Sequence, residues 1–74
     1  MFIKLTNANP THKGKSLHIN STMIVTVYRA DAVRAVDTEG NITEKEEVTF
    51  VFCPPHGSWE VVESPDEIAA MLNA

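Results

Sequence analysis

A chain of 74 residues with 43% hydrophobic and 22% charged side chains has room for one domain and one modest core. A net charge of −4 excludes the strongly basic composition of a typical nucleic-acid binder. The lone Cys53 excludes an internal disulfide, and no apolar run approaches the roughly 20 residues of a membrane-spanning helix. The apolar run at the start is too short for a signal peptide. We therefore expect a single soluble domain over residues 1–74, located in the reducing cytoplasm.

Alternation of apolar and polar side chains predicts strands over most of the chain. Ile3 and Leu5 share one face of the first strand, and Leu17 and Ile19 share one face of the second. The expected order is strand, strand, hairpin, strand and helix, over residues 2–6, 16–20, 23–53, 58–63 and 65–73.

A polar loop over residues 7–15 joins the first two strands. Pro10 and Gly14 interrupt it, and Lys13 and Lys15 make it the most basic surface segment. Two interpretations stay open: a solvated connection between strands, or a contact loop carried by a rigid scaffold.

The stretch from Met23 is rich in apolar residues on both of its faces, which predicts a central strand covered on both sides. Residues 30–36 are compatible with two helical turns, but we favour a long hairpin. In that hairpin the strand bulges near Ala30 and returns over residues 42–53. The acidic run 44–47 predicts an exposed tip, because unpartnered carboxylates are costly to bury.

The last third of the chain carries the most consistent local signals. Val48, Phe50 and Phe52 occupy every second position of a β-rich stretch, so we assign these side chains to the core. The segment 54–57, with two prolines and a glycine, predicts a tight turn that ends the strand.

The segment Ser64-Pro65-Asp66-Glu67 predicts the start of a helix. Ser64 is a preferred N-cap, Pro65 suits the first helical position, and Glu67 completes a capping box. Ile68 and Leu72 then lie on one apolar face. The whole chain predicts a mainly β fold (β+α), with five antiparallel strands in a small barrel or strongly bent sheet and one short C-terminal helix.

Few residues suggest chemistry. Cys53 and His56 are three residues apart across the turn, but a single cysteine without a second paired half-site is a weak zinc pattern. Gly14, Gly40 and Gly57 stand singly, so no phosphate-binding loop is present. We expect no enzyme, no cofactor and no metal.

The function that we favour is a small interaction or regulatory module that self-associates through a strand edge or the hairpin arm. The predicted contact residues are Tyr28, Arg29, Arg34 and Trp59. Trp59 suits two roles equally, a cover over this protein's own core or an anchor in another chain.

Single-stranded nucleic-acid binding by a small barrel is the alternative, with bases stacking on outward aromatics beside a basic groove. The candidate groove residues are Lys4, Lys13, Lys15, Arg29 and Arg34. The predicted inward position of the strand phenylalanines and the acidic second half of the chain weigh against this alternative.

Three short stretches resemble the FlbD-like family of small bacterial flagellar and motility proteins. They are Ile3-Lys-Leu-Thr6, Ile19-Asn20 before Ile24, and Val61-Val-Glu-Ser-Pro-Asp-Glu-Ile68. The chain also resembles short β-rich accessory proteins of phages and prophages. The resemblance implies a β-rich fold and an accessory role, and it supplies no catalytic residues.

Overall fold

In the computed structural model, which describes residues 1–74, most of the regular structure is β-strand. The elements in chain order are β1 (Phe2–Thr6), β2 (Ser16–Asn20), a 3₁₀ turn (Ser21–Met23), β3 (Thr26–Val36), β4 (Ile42–Cys53), β5 (Gly57–Val61) and α1 (Pro65–Leu72). The predicted mainly β class with one short C-terminal helix is confirmed.

The strands form two antiparallel sheets. β1 pairs with β2, and β4 lies between β3 and β5 in the second sheet. Two backbone hydrogen bonds join the sheets: the Ala8 N–H donates to the Glu60 carbonyl at 2.9 Å, and the Val62 N–H donates to the Thr6 carbonyl at 3.0 Å. The predicted barrel is wrong, because no ladder forms between β2 and β3 to close it.

β3 lies at the edge of its sheet, which corrects the prediction of a central strand. β4 takes the central position because turns at both of its ends fold a neighbour back onto it. Residues 30–36 continue β3 rather than forming helical turns. The predicted bulge exists but lies further along, at Arg34, where the pairing with β4 shifts between Val33 and Ala35.

The main core collects apolar side chains from β1, β2, β4, β5 and α1. Its buried members are Ile3, Leu5, Ile19, Val51, Cys53, Val61 and Ile68. A smaller cluster of Ala8, Ala32 and Val48, with Phe50 packed against it, lies where the loop after β1 meets the hairpin. Burial of apolar surface in these two clusters stabilises the fold.

The core-facing side of β4 differs from the prediction. Val48 is buried as predicted, and so are Thr49, Val51 and Cys53 on the other face. Phe52 instead keeps 38% of its surface exposed, and Phe50 is only partly buried, against the smaller cluster. Both faces of β4 carry apolar residues, so alternation alone did not indicate which face the remaining elements would cover.

The predicted helix start is confirmed. Ser64 Oγ accepts a hydrogen bond from the Glu67 N–H at 3.1 Å, and the Glu67 carboxylate accepts one from the Ser64 N–H at 3.3 Å. Just before the helix, the Glu63 carboxylate accepts hydrogen bonds from the N–H and the hydroxyl of Thr6, both at 2.9 Å. These bonds fix where α1 begins relative to β1.

Ile68 is the fully buried residue of α1, so its substitution tests how the helix docks. We expect Ile68→Val to lower the free energy of unfolding by about 1 kcal/mol, because one buried methyl group is lost and a small cavity remains. Urea denaturation followed by circular dichroism measures the change. Ala70→Gln, on the exposed side of the same helix, is the control, and an equal loss in both variants would contradict docking of α1 through Ile68.

Candidate interaction surface

The β3–β4 hairpin extends beyond the rest of its sheet. β5 pairs with β4 only over residues 49–53, whereas β3 pairs with β4 out to Val36 and Ile42. We call residues 30–48 the arm, the part of the hairpin without a third strand. The molecule accordingly measures 45 Å along its longest axis and 23 and 20 Å across.

The tip of the arm is held by its own polar groups. Asp37 Oδ1 accepts hydrogen bonds from the N–H groups of Glu39 and Asn41, both at 2.9 Å. The hydrogen bond from the Asn41 N–H is the main cause that lowers the pKa of Asp37 below its usual value. Gly40 has a φ of +86°, a backbone conformation that side chains with a Cβ rarely adopt. The tip is therefore a defined turn.

Arg34 connects the arm to the body of the protein. Its Nη2 lies 2.8 Å from Glu60 Oε1 on β5, its Nε donates to Glu46 Oε1 at 3.0 Å, and its Nη2 donates to the Ala8 carbonyl at 3.2 Å. Only 11% of the Arg34 side chain is exposed. The bulge at Arg34 supplies the extra residue whose guanidinium reaches all three partners.

The charges at this junction depend on one another. Glu60 Oε1 is closed to solvent and receives no well-aligned hydrogen bond, so the adjacent Arg34 charge is its compensation. The Glu60 carboxylate raises the pKa of Arg34 above its ordinary value, against the opposing effect of burial. Removing Arg34 or Glu60 would leave the other charged side chain mostly buried and without its ion-pair partner.

Exposed apolar side chains lie along the arm and at its base. Val33, Val36 and Ile42 each keep more than half of their surface exposed. At the base, the Tyr28 ring stacks on Phe50 with centroids 5.4 Å apart and an interplanar angle of 18°. The arm therefore combines charged residues with apolar residues that this chain does not bury.

The structure separates the four predicted contact residues. Tyr28 is exposed at the base of the arm, while Arg29 donates to Thr49 Oγ1 at 3.0 Å and lies 3.2 Å from Glu47. Arg34 is held at the junction described above. Trp59 pairs across from Val51, so its side chain emerges on the opposite face of the sheet from Tyr28.

Trp59 stands at the rim of the core with 42% of its surface exposed. It lines two open clefts of about 340 and 230 Å³. The larger is lined mostly by polar residues of the loop after β1 and of β5, and the smaller by Leu17, Ile19, Met23 and Cys53 among others. Trp59 thus partly covers the core and partly meets solvent.

The candidate nucleic-acid residues are distributed over several elements. Arg29, Arg34 and Lys13 have carboxylate partners within the chain, the last with Glu46 at 3.3 Å. Lys4 lies on β1 across from His18, and Lys15 immediately precedes β2.

Sequence reasoning missed Glu46 and Glu60, the partners of Arg34. Glu46 lies in the acidic run that predicted an exposed tip, yet it forms ion pairs with Arg34 of the arm and with Lys13 of the loop after β1. Glu60 carried no signal, because its role depends on the bulge and on the docking of the loop after β1.

Cys53 and His56 both line the smaller cleft. Cys53 is 2% exposed in the main core, as expected for a small apolar residue, and burial raises the pKa of its thiol. No three histidine, cysteine, aspartate or glutamate residues lie close enough together to hold a metal ion.

No protein-family model matches this chain, and neither do curated proteins or solved structures. The resemblance to the FlbD-like family therefore stays a prediction. None of the helices has the length and apolar character required to cross a membrane.

The Glu46 carboxylate predicts a pH-dependent contribution to stability. Hydrogen bonds from Arg34 and then Lys13 lower its pKa below the usual value. A pKa that is lower in the folded than in the unfolded state stabilises the fold above the ordinary glutamate pKa, about 4.3, and this stabilisation disappears as the pH falls through the folded value.

We therefore expect Glu46→Gln to lower the melting temperature at pH 7 and to have little effect near pH 3. Thermal unfolding of both proteins between these pH values measures the difference. Glu44→Gln is the matched control, because Glu44 lies on the same strand and forms no ion pair in the structure. A constant difference between wild type and Glu46→Gln at every pH would contradict the ionic role.

Proposed function

We propose that this chain is a small, non-enzymatic interaction module that binds protein chains through the arm. The observation that carries the proposal is the open outer edge of β3, the edge strand of its sheet, along a β3–β4 ladder that extends beyond β5. An exposed strand edge presents unpaired N–H and C=O groups to which another strand can add.

The side chains of the arm support the same proposal. Val33, Val36 and Ile42 are between 53% and 58% exposed, so burying the rest of each side chain in a contact would gain about 1 kcal/mol, roughly half of the gain from full burial. The arm does not bend back to bury them, because the tip turn and the junction at Arg34 hold it extended.

We also propose the setting in which the module acts. The lone buried thiol of Cys53 suits the reducing cytoplasm. The resemblance to the FlbD-like family suggests an accessory or regulatory protein encoded by a phage or prophage. The interaction that we propose is self-association through the arm, because it requires only a second copy of this chain.

Two valines of the arm provide a test of this proposal. We expect Val33→Gln combined with Val36→Gln to raise the dissociation constant of self-association by at least about tenfold, because apolar surface is no longer buried in the contact. Sedimentation velocity over a range of concentrations measures it.

The control is Phe2→Ser, which removes an apolar side chain of similar exposure from β1. An equal effect of the control would place the contact elsewhere, and a wild-type protein that is monomeric at every concentration would overturn self-association.

Single-stranded nucleic-acid binding is the second candidate. The stacked Tyr28–Phe50 pair and the exposed part of Phe52 favour it, because they place aromatic surface on the outside of the sheet. The carboxylate partners of Arg29 and Arg34 weigh against it, because they compete with phosphate.

Binding of a labelled single-stranded oligonucleotide at low salt distinguishes the two candidates. An interaction module should show no change in fluorescence anisotropy, even at low ionic strength, where phosphate contacts are strongest. Measurable binding that weakens with added salt and with Tyr28→Ala would instead support the second candidate.

A further inference from the structure

We infer that the partner of the arm is a second copy of this chain, paired antiparallel along β3 about a two-fold axis at Ala30. This inference rests on the proposed function and specifies its partner and register. It follows from two independent features: which backbone groups of β3 point outward, and which side chains accompany them.

The hydrogen bonds between the sheets show how β5 is oriented. The Glu60 carbonyl and the Val62 N–H form hydrogen bonds with Ala8 and Thr6, at the end of β1. Val61, which lies between them, therefore points its backbone N–H and C=O toward β4. In an antiparallel ladder successive residues alternate in this way. Through the observed register, Val51 therefore bonds to Trp59 of β5, and Phe50 bonds to β3.

The same alternation determines the outer edge of β3. Phe50 and Val48 lie opposite Tyr28 and Ala30, so Tyr28 and Ala30 bond inward to β4. The Phe52 carbonyl also points toward β3, since it accepts a hydrogen bond at 2.9 Å from the N–H of Val25, which precedes the regular ladder. The backbone groups that point away from the sheet belong to Val27, Arg29, Asp31 and Val33.

A second β3 strand can pair only through its own outward residues. In every allowed register the two-fold axis therefore passes through a residue of β3, and neighbouring registers shift this axis by one residue. An axis at Arg29 places two arginines opposite each other, and an axis at Asp31 places two aspartates opposite each other. Like charges directly opposite in a ladder are destabilising. An axis at Tyr28 pairs only residues 26–30, and an axis at Ala32 brings the bulge at Arg34 into the ladder; both leave Arg29 and Asp31 without an opposite charge.

An axis at Ala30 satisfies every outward position. Arg29 of each copy lies opposite Asp31 of the other, and Val27 lies opposite Val33. Each of these pairs exchanges both of its N–H···O=C bonds, as outward residues of an antiparallel ladder do. The outward residues of β3 thus read Val-Arg-Asp-Val, which is self-complementary when a second copy runs in the opposite direction.

The neighbours of these residues fit the same arrangement. Within the chain Arg29 lies 3.2 Å from Glu47, and Asp31 lies 3.4 Å from Lys45. Across the axis the charges would then alternate in sign, from Glu47 through Arg29 to Asp31 and Lys45 of the second copy. On the other face, the exposed Tyr28 ring would lie over the small side chain of Ala32.

A cysteine at the axis tests the register directly. Two Ala30 residues would form a pair without mutual hydrogen bonds, whose Cα atoms lie about 4.5 Å apart, within the range of a disulfide. We expect Ala30→Cys to form a covalent dimer under mild oxidation. Val33→Cys is the control, because its two copies would lie about 20 Å apart along the strands. Both variants retain the buried Cys53.

A charge exchange tests the side-chain pairing. Arg29→Asp alone and Asp31→Arg alone should each raise the dissociation constant at least about tenfold, because like charges then face each other twice. An equimolar mixture of the two variants should recover the dimer as a mixed pair, since every Asp then faces an Arg. Glu47→Gln controls for the loss of the ion pair within the chain, and it should leave association within about twofold.

The possible failures are distinguishable. Dimers that the Val33 and Val36 substitutions weaken, but that show neither Ala30→Cys cross-linking nor recovery on mixing, would overturn this register and leave the arm as the contact. A wild-type protein that is monomeric at every concentration would overturn both proposals. Circular dichroism of each variant confirms that the fold is retained, and only folded variants are compared.

Discussion

The difference in length between β4 and its neighbour β5 determines the shape of this protein. β4 has 12 residues and β5 has five, so β5 covers only one end of the β4 edge. β3, with 11 residues, follows β4 almost to its tip. The remainder of the ladder extends as a two-stranded arm, and the outer edge of β3 has no partner in the chain. An isolated two-stranded ribbon is marginally stable, so the arm needs support from the body.

That support comes from the junction at Arg34. The bulge directs this side chain toward Glu60 and the Ala8 carbonyl, and the small residues Ala8 and Ala32 pack beside it. One ionic contact and one small apolar cluster thus hold the base of the arm, while the tip turn at Asp37 orders its far end. The outward residues of β3, from Val27 to Val33, precede this junction, and no other strand of the chain pairs with them along that edge.

Local signals predicted the elements well and their arrangement less well. The capping box at Ser64 was predictable, because all of its groups lie within four residues of one another. The choice of the buried face of β4 was not, because Phe50 and Val51 have similar apolar character and the covering elements come from distant parts of the chain. For the same reason the contact set was incomplete: Arg34 was identified, but its partner Glu60 is 26 residues away and meets it only after three strands have paired.

The sequence by itself determined the secondary structure, the position of the turns and the self-complementary order of side chains in β3. These properties depend on neighbouring residues, whose spacing is fixed by the covalent chain. Only the tertiary structure decided that β3 is an edge strand, that the sheets stay open and that the outward backbone groups belong to the residues Val27, Arg29, Asp31 and Val33. These properties depend on which strands pair, and strand pairing is settled by the burial of surfaces that lie far apart in the chain.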